Sequence, residues 1–403
     1  MNILFLTIGR FESIEQHSIY PDLLREFRDH GHTVYAISSY EKRTGKQTEL
    51  IEENGAYSLH VRIGNITKCG MIEKGISTVM IESQYLNAIK KHLRGVRFDL
   101  VIYSTPPITL VNVVKFIKKR DGAKSYLLLK DIFPQNAVDI GIMKKSGLKG
   151  LLYRYFRAKE KKLYAISDYI GCMSPANVSY VLEHNPEIDA ERVEVCPNAV
   201  EVFDTSVDER TRDEIRDKYG IPKDKKVFVY GGNLGRPQGI PYLIECLKTQ
   251  LNSKDLFFLI VGDGTEYGKL SSFFADYNPS NMILLKTLPK EDYDLVVASC
   301  DIGMIFLDYR FTIPNFPSRI LDYMQAAIPV LACTDKHTDV GDTIVNGGFG
   351  WWCESNNILN FVQITTQIDY TCLKAKGCLG FEYLKTNYSV KNAYDTIIRR
   401  VDH

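Results

Sequence analysis

Short runs of β-branched and aliphatic residues alternate with longer helix-patterned stretches along this whole chain, and that alternation points to parallel sheets covered by helices. In the first half the runs are Ile3–Thr7, Thr33–Ile37, Ser58–Ile63, Leu100–Tyr103, Ser125–Leu129, Tyr169–Cys172 and Val193–Cys196. In the second they are Val227–Tyr230, Phe257–Val261, Met282–Leu285, Ile302–Phe306 and Val330–Cys333. Between the two sets Asn198–Ile221 is polar, with Asp204, Asp208, Glu209 and Arg210, and no strand fits there. A chain of 403 residues exceeds one ordinary core. The expected organisation is therefore two doubly wound, Rossmann-like α/β domains, residues 1–200 and 201–386, with a site in the cleft between them. After Phe361 the pattern is helical and ends in Asn392–Val401. The segment 387–403 is expected to pack back on the first domain, although periodicity does not show this.

The net charge of +1 argues against a surface built throughout for nucleic acid, so no such partner is expected and any basic patch is local. Nine scattered cysteines, odd in number and without close pairs, read as the reduced thiols of a cytosolic protein. The eight histidines show no metal-ligand spacing. The stretch Met1–Gly9 is apolar but meets Arg10 and Glu12 too early for a leader or a membrane span, and it reads as a buried first strand.

In doubly wound sheets ligands sit outside the carboxyl ends of the strands, so the residues just after each strand carry the information. After Val227–Tyr230 comes Gly231-Gly232-Asn233-Leu234-Gly235-Arg236-Pro237-Gln238-Gly239, then a helix beginning near Ile240. Glycines let backbone approach a ligand and a helix start attracts an anion, but taken singly such a loop is as readily a mere tight turn. A second turn, Gly262-Asp263-Gly264, holds the equivalent position after Phe257–Val261. The segment Pro314–Met324 adds Asn315, Pro317 for a first helical turn, and Ser318 and Arg319 where helix N–H groups are unsatisfied. Asp322 follows Ser318 by four residues on the same face, about 6 Å along the axis, an offset suited to a ribose beyond a diphosphate. The plainer reading makes Ser318 a cap and Asp322 a solvated carboxylate.

In the first half, Gly9-Arg10, Ser104-Thr105-Pro106-Pro107 and Lys130-Asp131-Ile132-Phe133-Pro134-Gln135-Asn136 also follow strands. Asp131 reads either as a helix cap or as the group nearest an acceptor hydroxyl.

The order Gly-Gly-Asn-Leu-Gly, Val-Gly-Asp-Gly and Pro-Ser-Arg-Ile-Leu-Asp-Tyr-Met-Gln-Ala-Ala-Ile-Pro-Val resembles the second domain of GT-B-fold retaining glycosyltransferases of glycosyltransferase family 4. The segments at Ser104–Pro107 and Lys130–Asn136 resemble signatures of its fucosaminyltransferase-like branch, enzymes of bacterial capsule, O-antigen and exopolysaccharide assembly. The resemblance implies a nucleotide-diphosphate sugar as donor, a UDP-sugar of N-acetylhexosamine or deoxyhexosamine type, and a saccharide or lipid-linked saccharide as acceptor.

For the donor it implies Gly231, Gly232, Asn233, Gly235, Arg236, Gln238, Gly262, Asp263, Gly264, Asn315, Pro317, Ser318, Arg319 and Asp322, with Asp322 holding the ribose. For the acceptor it implies Gly9, Arg10, Thr105, Pro106, Lys130 and Asp131, and for catalysis Asp131 and Arg319. Asn233 and Gln238 stand where the family commonly has Arg and Lys, a change the branch tolerates, and Pro314 stands where it has Glu. Arg236 and Arg319 are thereby expected to carry the diphosphate charge. Asn198 matches the family's Pro-Asn-Gly-Val segment, with Ala199 for the glycine, and is expected to be structural.

Lys144–Lys162 carries eight cations against one acid, Glu160, with Leu148, Leu151, Leu152, Tyr155 and Phe156 interleaved. It reads as a solvated helix face or as a contact with an anionic membrane surface, which would make the protein cytoplasmic and peripheral on the inner face of the membrane. No Asp-x-Asp ends a strand, so transfer without a metal or other cofactor is expected. A sugar-nucleotide epimerase and a nonenzymatic nucleotide-binding protein are the alternatives. A nicotinamide enzyme is disfavoured because Gly-x-Gly-x-x-Gly is absent after the first strand.

Overall fold

The computed structural model describes residues 1–401, apart from the side chains of Met71, Leu148 and Lys149. Asp402 and His403, in the expected terminal helix, and the side chains of Leu148 and Lys149, in the expected basic helix, lie outside what is described. The chain divides into two compact units, Met1–Glu201 with the segment from Ser389 onward, and Val202–Tyr388.

The first unit runs β1 (Asn2–Leu6), α1 (Ile19–Asp29), β2 (Thr33–Glu41), β3 (Glu49–Glu53), β4 (Ala56–Ile63), α2 (Met71–His92), β5 (Leu100–Ser104), α3 (Val111–Asp121), β6 (Lys124–Leu129), α4 (Gln135–Asp139), α5 (Gly147–Ile166), β7 (Tyr169–Cys172), α6 (Pro175–His184) and β8 (Val193–Val195). Among the described residues its sheet has eight strands in the order β3-β4-β2-β1-β5-β6-β7-β8. All pairings are parallel except β3 with β4. The central strands are buried on both faces, which is why they read as unbroken apolar runs. One face carries α2, α3 and α5 over a core with Ile81, Val114, Ile117 and Leu163. The other carries α1 and the terminal helix.

The second unit runs α7 (Glu209–Tyr219), β9 (Lys226–Asn233), α8 (Ile240–Thr249), β10 (Leu256–Asp263), α9 (Tyr267–Tyr277), β11 (Met282–Leu285), α10 (Lys290–Ala298), β12 (Ile302–Phe306), α11 (Arg319–Gln325), β13 (Val330–Thr334), α12 (Val340–Asn346), β14 (Gly350–Glu354), α13 (Ile358–Gln367) and α14 (Leu373–Asn387). Its six described strands are parallel in the order β11-β10-β9-β12-β13-β14. The last helix, α15 (Val390–Val401), returns to the first unit, where Ile397 is fully buried and Tyr394 stacks on His30 at 4.1 Å.

The two doubly wound α/β units were legible from the alternation, but two strands were not. β3 is Glu-Leu-Ile-Glu-Glu, almost wholly exposed at a sheet edge, so no buried face marks it. β14 opens on Gly350 and is half exposed.

Candidate functional site

In the second unit β9 and β10 pair in register, Gly232 opposite Gly262 and Asn233 opposite Asp263, so the two glycine turns end side by side. A Cβ on Gly262 would lie 2.0 Å from the Gly232 carbonyl oxygen, and one on Gly264 would lie 2.4 Å from that of Leu234. The glycines thus let two backbones meet where any side chain would part them. Gln238 Oε1 accepts from Gly235 N at 3.1 Å and from Asn233 Nδ2 at 3.2 Å, which folds the first loop on itself.

These turns border a cavity of about 650 Å³. Of the residues expected around a donor, Gly231, Gly232, Asn233, Gln238, Gly262, Asp263, Pro317, Ser318, Arg319 and Asp322 line it. Gly235, Arg236, Gly264 and Asn315 do not. Gly235 and Gly264 shape the loops behind it, and the Asn315 carbonyl accepts from Thr338 Oγ1 at 2.5 Å. Arg236, expected to bring charge to a diphosphate, instead lies 3.7 Å from the buried carboxylate of Glu266. That carboxylate has Lys269 of α9 as its closer partner, and the Arg236 side chain stays more than half exposed.

The cavity's cations are Arg319 and Lys290. The Arg319 guanidinium lies 4.4 Å from the Tyr230 ring centre, close to Gly232, and its Nη1 is buried without a hydrogen-bond partner. A buried, unsatisfied guanidinium nitrogen bordering a cavity is a donor in want of an acceptor. Ser318 already has helical φ and ψ and makes no side-chain cap, so its hydroxyl is not committed to the helix. Asp322, one turn on, is partly exposed, and burial raises its carboxyl above the usual range while Lys290, 3.4 Å away, pulls it back.

Sequence reasoning missed Val261, Thr287, Leu288, Lys290 and Tyr293, which also line the cavity. Lys290 and Tyr293 come from α10, which packs against α11. A Cβ on Gly231 would meet the Tyr293 hydroxyl at 2.0 Å, so Gly231 makes room for that ring. The Asp292-Tyr293-Asp294 sequence lies on this helix, not at a strand end. Its carboxylates face Lys218 at 3.2 Å and Lys290 at 2.5 Å.

In the first unit a separate cavity of about 480 Å³ is lined by Gly9, Arg10 and Pro106, with Thr7, Tyr20 and Arg43 among its walls. Thr105, Lys130 and Asp131 do not line it. They form a hydrogen-bonded junction instead: Thr105 Oγ1 accepts from Lys130 N at 3.0 Å and Asp131 N at 3.4 Å. Lys130 Nζ donates to the Cys196 carbonyl at 3.0 Å, and burial lowers its ammonium to about 8. Burial raises Asp131 to about 6, against two bonds from Asn136 Nδ2 at 2.7 and 2.8 Å. Asn198 Oδ1, close in sequence to Cys196, is buried without a partner.

Two α/β units with parallel sheets make up the fold of GT-B glycosyltransferases. Sucrose-phosphate synthase from Thermosynechococcus elongatus matches it with a TM-score of 0.74 at 14% identity, over 99% of this chain and 97% of that one. Anabaena HepE, solved with UDP-glucose, matches with a TM-score of 0.67 at 14% identity, over 100% of this chain and 99% of that one. Residues 211–368, within the second unit, match the family model described as glycosyl transferases group 1. A curated relative, "Probable glycosyltransferase WbjE" of Pseudomonas aeruginosa, is 25% identical over 325 residues, 79% of this chain and 78% of that protein. The domain match and this relative support a glycosyltransferase enzyme.

Proposed function

We propose that this protein transfers a sugar from a UDP-sugar, without a metal and with retention at the anomeric carbon, to a saccharide or lipid-linked acceptor in bacterial surface-polysaccharide assembly. The observation that carries the reading is the cavity of the second unit, where Arg319 Nη1 is buried without a partner among two glycine turns, Lys290, Ser318 and Asp322. A diphosphate there meets backbone N–H groups, a hydroxyl and two cations, and a ribose meets the Asp322 carboxylate one turn inward. The same groups stabilise the charge on the departing diphosphate, which is the main electrostatic demand of the transfer. The UDP-glucose of the matched Anabaena protein favours uridine as the base.

Asp131 is the proposed partner of the acceptor hydroxyl. A carboxyl raised to about 6 is still ionised at neutral pH and a better base than an ordinary aspartate. The residues Ser104–Pro107 and Lys130–Asn136, similar to those of surface-polysaccharide enzymes, favour an acceptor of that class. A basic run at Lys144–Lys162 favours a lipid-linked one, met at the inner face of the membrane.

Calorimetry with UDP and a set of UDP-sugars, together with a transfer assay, tests this reading. Asp322→Ala is expected to weaken nucleotide binding about 10-fold or more, whereas Asp131→Ala abolishes transfer and leaves donor binding largely intact. Product analysis with donor alone separates transfer from epimerisation. Unchanged binding and transfer in both variants would end the assignment.

A further inference from the structure

Glu82 of α2 marks a level in the first unit where three helices meet. Its carboxylate accepts from the backbone N and Nδ2 of Asn112, at the start of α3, at 2.5 and 2.8 Å, and lies 3.9 Å from Lys159 of α5. The strands β4 to β7 run the same way, so α2, α3 and α5 all begin at the carboxyl edge of the sheet. From the Glu82 level α2 continues back to Met71 and α5 back to Gly147, about 16 and 18 Å beyond the start of α3 at 1.5 Å per residue.

On those two projecting ends both helices expose large apolar side chains. On α2 they are Ile72, Ile76, Val79 and Met80, with Ile72 82% exposed, at the spacing of one helical face. On α5 they are Leu151, Leu152 and Tyr155, again one face. Exposed cations flank them: Lys74 on α2, offset by Glu73, which accepts from Asn65 Nδ2 at 2.7 Å, and Lys144, Lys145 and Arg154 around the start of α5, where the positive charge gathers. The acid of that second stretch, Glu160, is buried and bonded to Arg157 at 2.6 Å.

We propose that the projecting ends of α2 and α5 form a two-pronged surface that docks on an anionic lipid bilayer, inserting Ile72, Ile76 and Leu151 among the acyl chains while the cations meet the headgroups. Contiguous exposed apolar faces mark an interaction surface. The charge decides among its occupants: a second copy set face to face would bring like cations together, whereas an anionic bilayer complements them. No helix among the described residues is long and apolar enough to cross a membrane, so the contact is one of docking. The base of the α5 prong reaches the Asp131 loop, where the Phe133 ring packs edge-on to Phe156 at 5.0 Å. A docked bilayer therefore lies close to the proposed acceptor group, which extends the lipid-linked reading and rests on it for its meaning, although not for its test.

The test is co-sedimentation of the full chain with vesicles of phosphatidylethanolamine and phosphatidylglycerol, against phosphatidylcholine alone. The wild type is expected to pellet with the anionic vesicles. The variant Ile72→Ser/Ile76→Ser/Leu151→Ser is expected to lose about 10-fold or more in partitioning, and Lys144→Glu/Arg154→Glu, which leaves the exposed apolar residues and the Lys145–Tyr153 contact in place, to lose binding as well. Thermal melting by circular dichroism checks that each variant folds. Absence of wild-type binding to anionic vesicles, equal partitioning of wild type and both variants, or a wild-type dimer that the apolar variant dissolves would each overturn the proposal. Calorimetry with UDP keeps the two readings apart: a wild type that binds UDP but no vesicles sinks the docking alone, and one that pellets but binds no UDP sinks the transferase reading alone.

Discussion

Lys290 Nζ lies 3.4 Å from Asp322 Oδ1 and 2.5 Å from Asp294 Oδ1, so one ammonium lining the second unit's cavity serves two carboxylates, one of them inside that cavity. Under the proposed function that ammonium supplies charge absent from the glycine loop. Lys290→Met is expected to weaken UDP binding by about 10- to 100-fold, as for a lost charged hydrogen bond. The sign of a second effect is fixed too. Lys290 holds the Asp322 carboxyl down against the rise that burial imposes, so its removal sends that carboxyl higher. Affinity for UDP, which needs Asp322 ionised, should then begin to fall at a higher pH in the variant. Calorimetry across a pH series reads both effects.

Asp131, at about 6, predicts a transfer rate that rises as pH climbs through that value and then levels, because the base works only when ionised. Asn136 favours the ionised form through its two bonds, so Asn136→Ala should move the rising limb to higher pH while leaving UDP affinity unchanged. A pH–rate profile on the two proteins measures the displacement.

Gly262→Ala should be poorly tolerated, since the added methyl would lie 2.0 Å from the Gly232 carbonyl oxygen, a backbone atom that cannot step aside without parting β9 from β10. A loss of about 1–3 kcal/mol is expected, with weakened UDP binding as the two turns separate. Gly268→Ala, in α9 with open space about it, should leave UDP binding unchanged and raise stability by about 0.5 kcal/mol. Chemical denaturation and calorimetry on the pair check this.

Arg216 is fully buried in the second unit, donating to the Ser299 carbonyl at 2.9 Å and to Asp301 Oδ2 at 2.9 Å. Arg216→Leu takes from Asp301 the nearer of its two cations, with only Arg212 left at 3.6 Å, and strips the Ser299 carbonyl of its donor, and should cost about 3 kcal/mol. Denaturant unfolding measures the cost, with the first unit's cavity far from the change in sequence.

The glycine turns were legible because each directly follows the end of a short apolar run, and Pro314–Met324 because it lies between two such runs, β12 and β13, and carries its own helix-start residues. Lys290 and Tyr293 were not. They follow β11, an edge strand, and reach Asp322 only because α10 packs on α11, a neighbour relation that strand order creates. That Arg236 lies outside the cavity and near Glu266 was hidden for a related reason: Glu266 is placed there when its N bonds back to the Leu234 carbonyl at 2.8 Å. In the first unit the motif around Asp131 was readable, but its tie to Asn136 is a side-chain choice that spacing leaves open. The α5 cations could be counted from the sequence. The matching apolar face of α2 could not be told from a core face until α3 was seen to begin so much further along.

Val390 N donates to the Val200 carbonyl at 3.0 Å, and Val200 bridges Ser389. The chain therefore leaves the first unit and re-enters it at neighbouring points, so everything from Val202 to Tyr388 is, in connectivity, one long insertion into an otherwise complete fold. Such an insertion can be lifted out. A chain in which a few flexible residues join Glu201 to Ser389 retains every strand of the larger sheet and the helix that covers its open face, whereas one simply cut short after Tyr388 lays bare the apolar bed of Ile397.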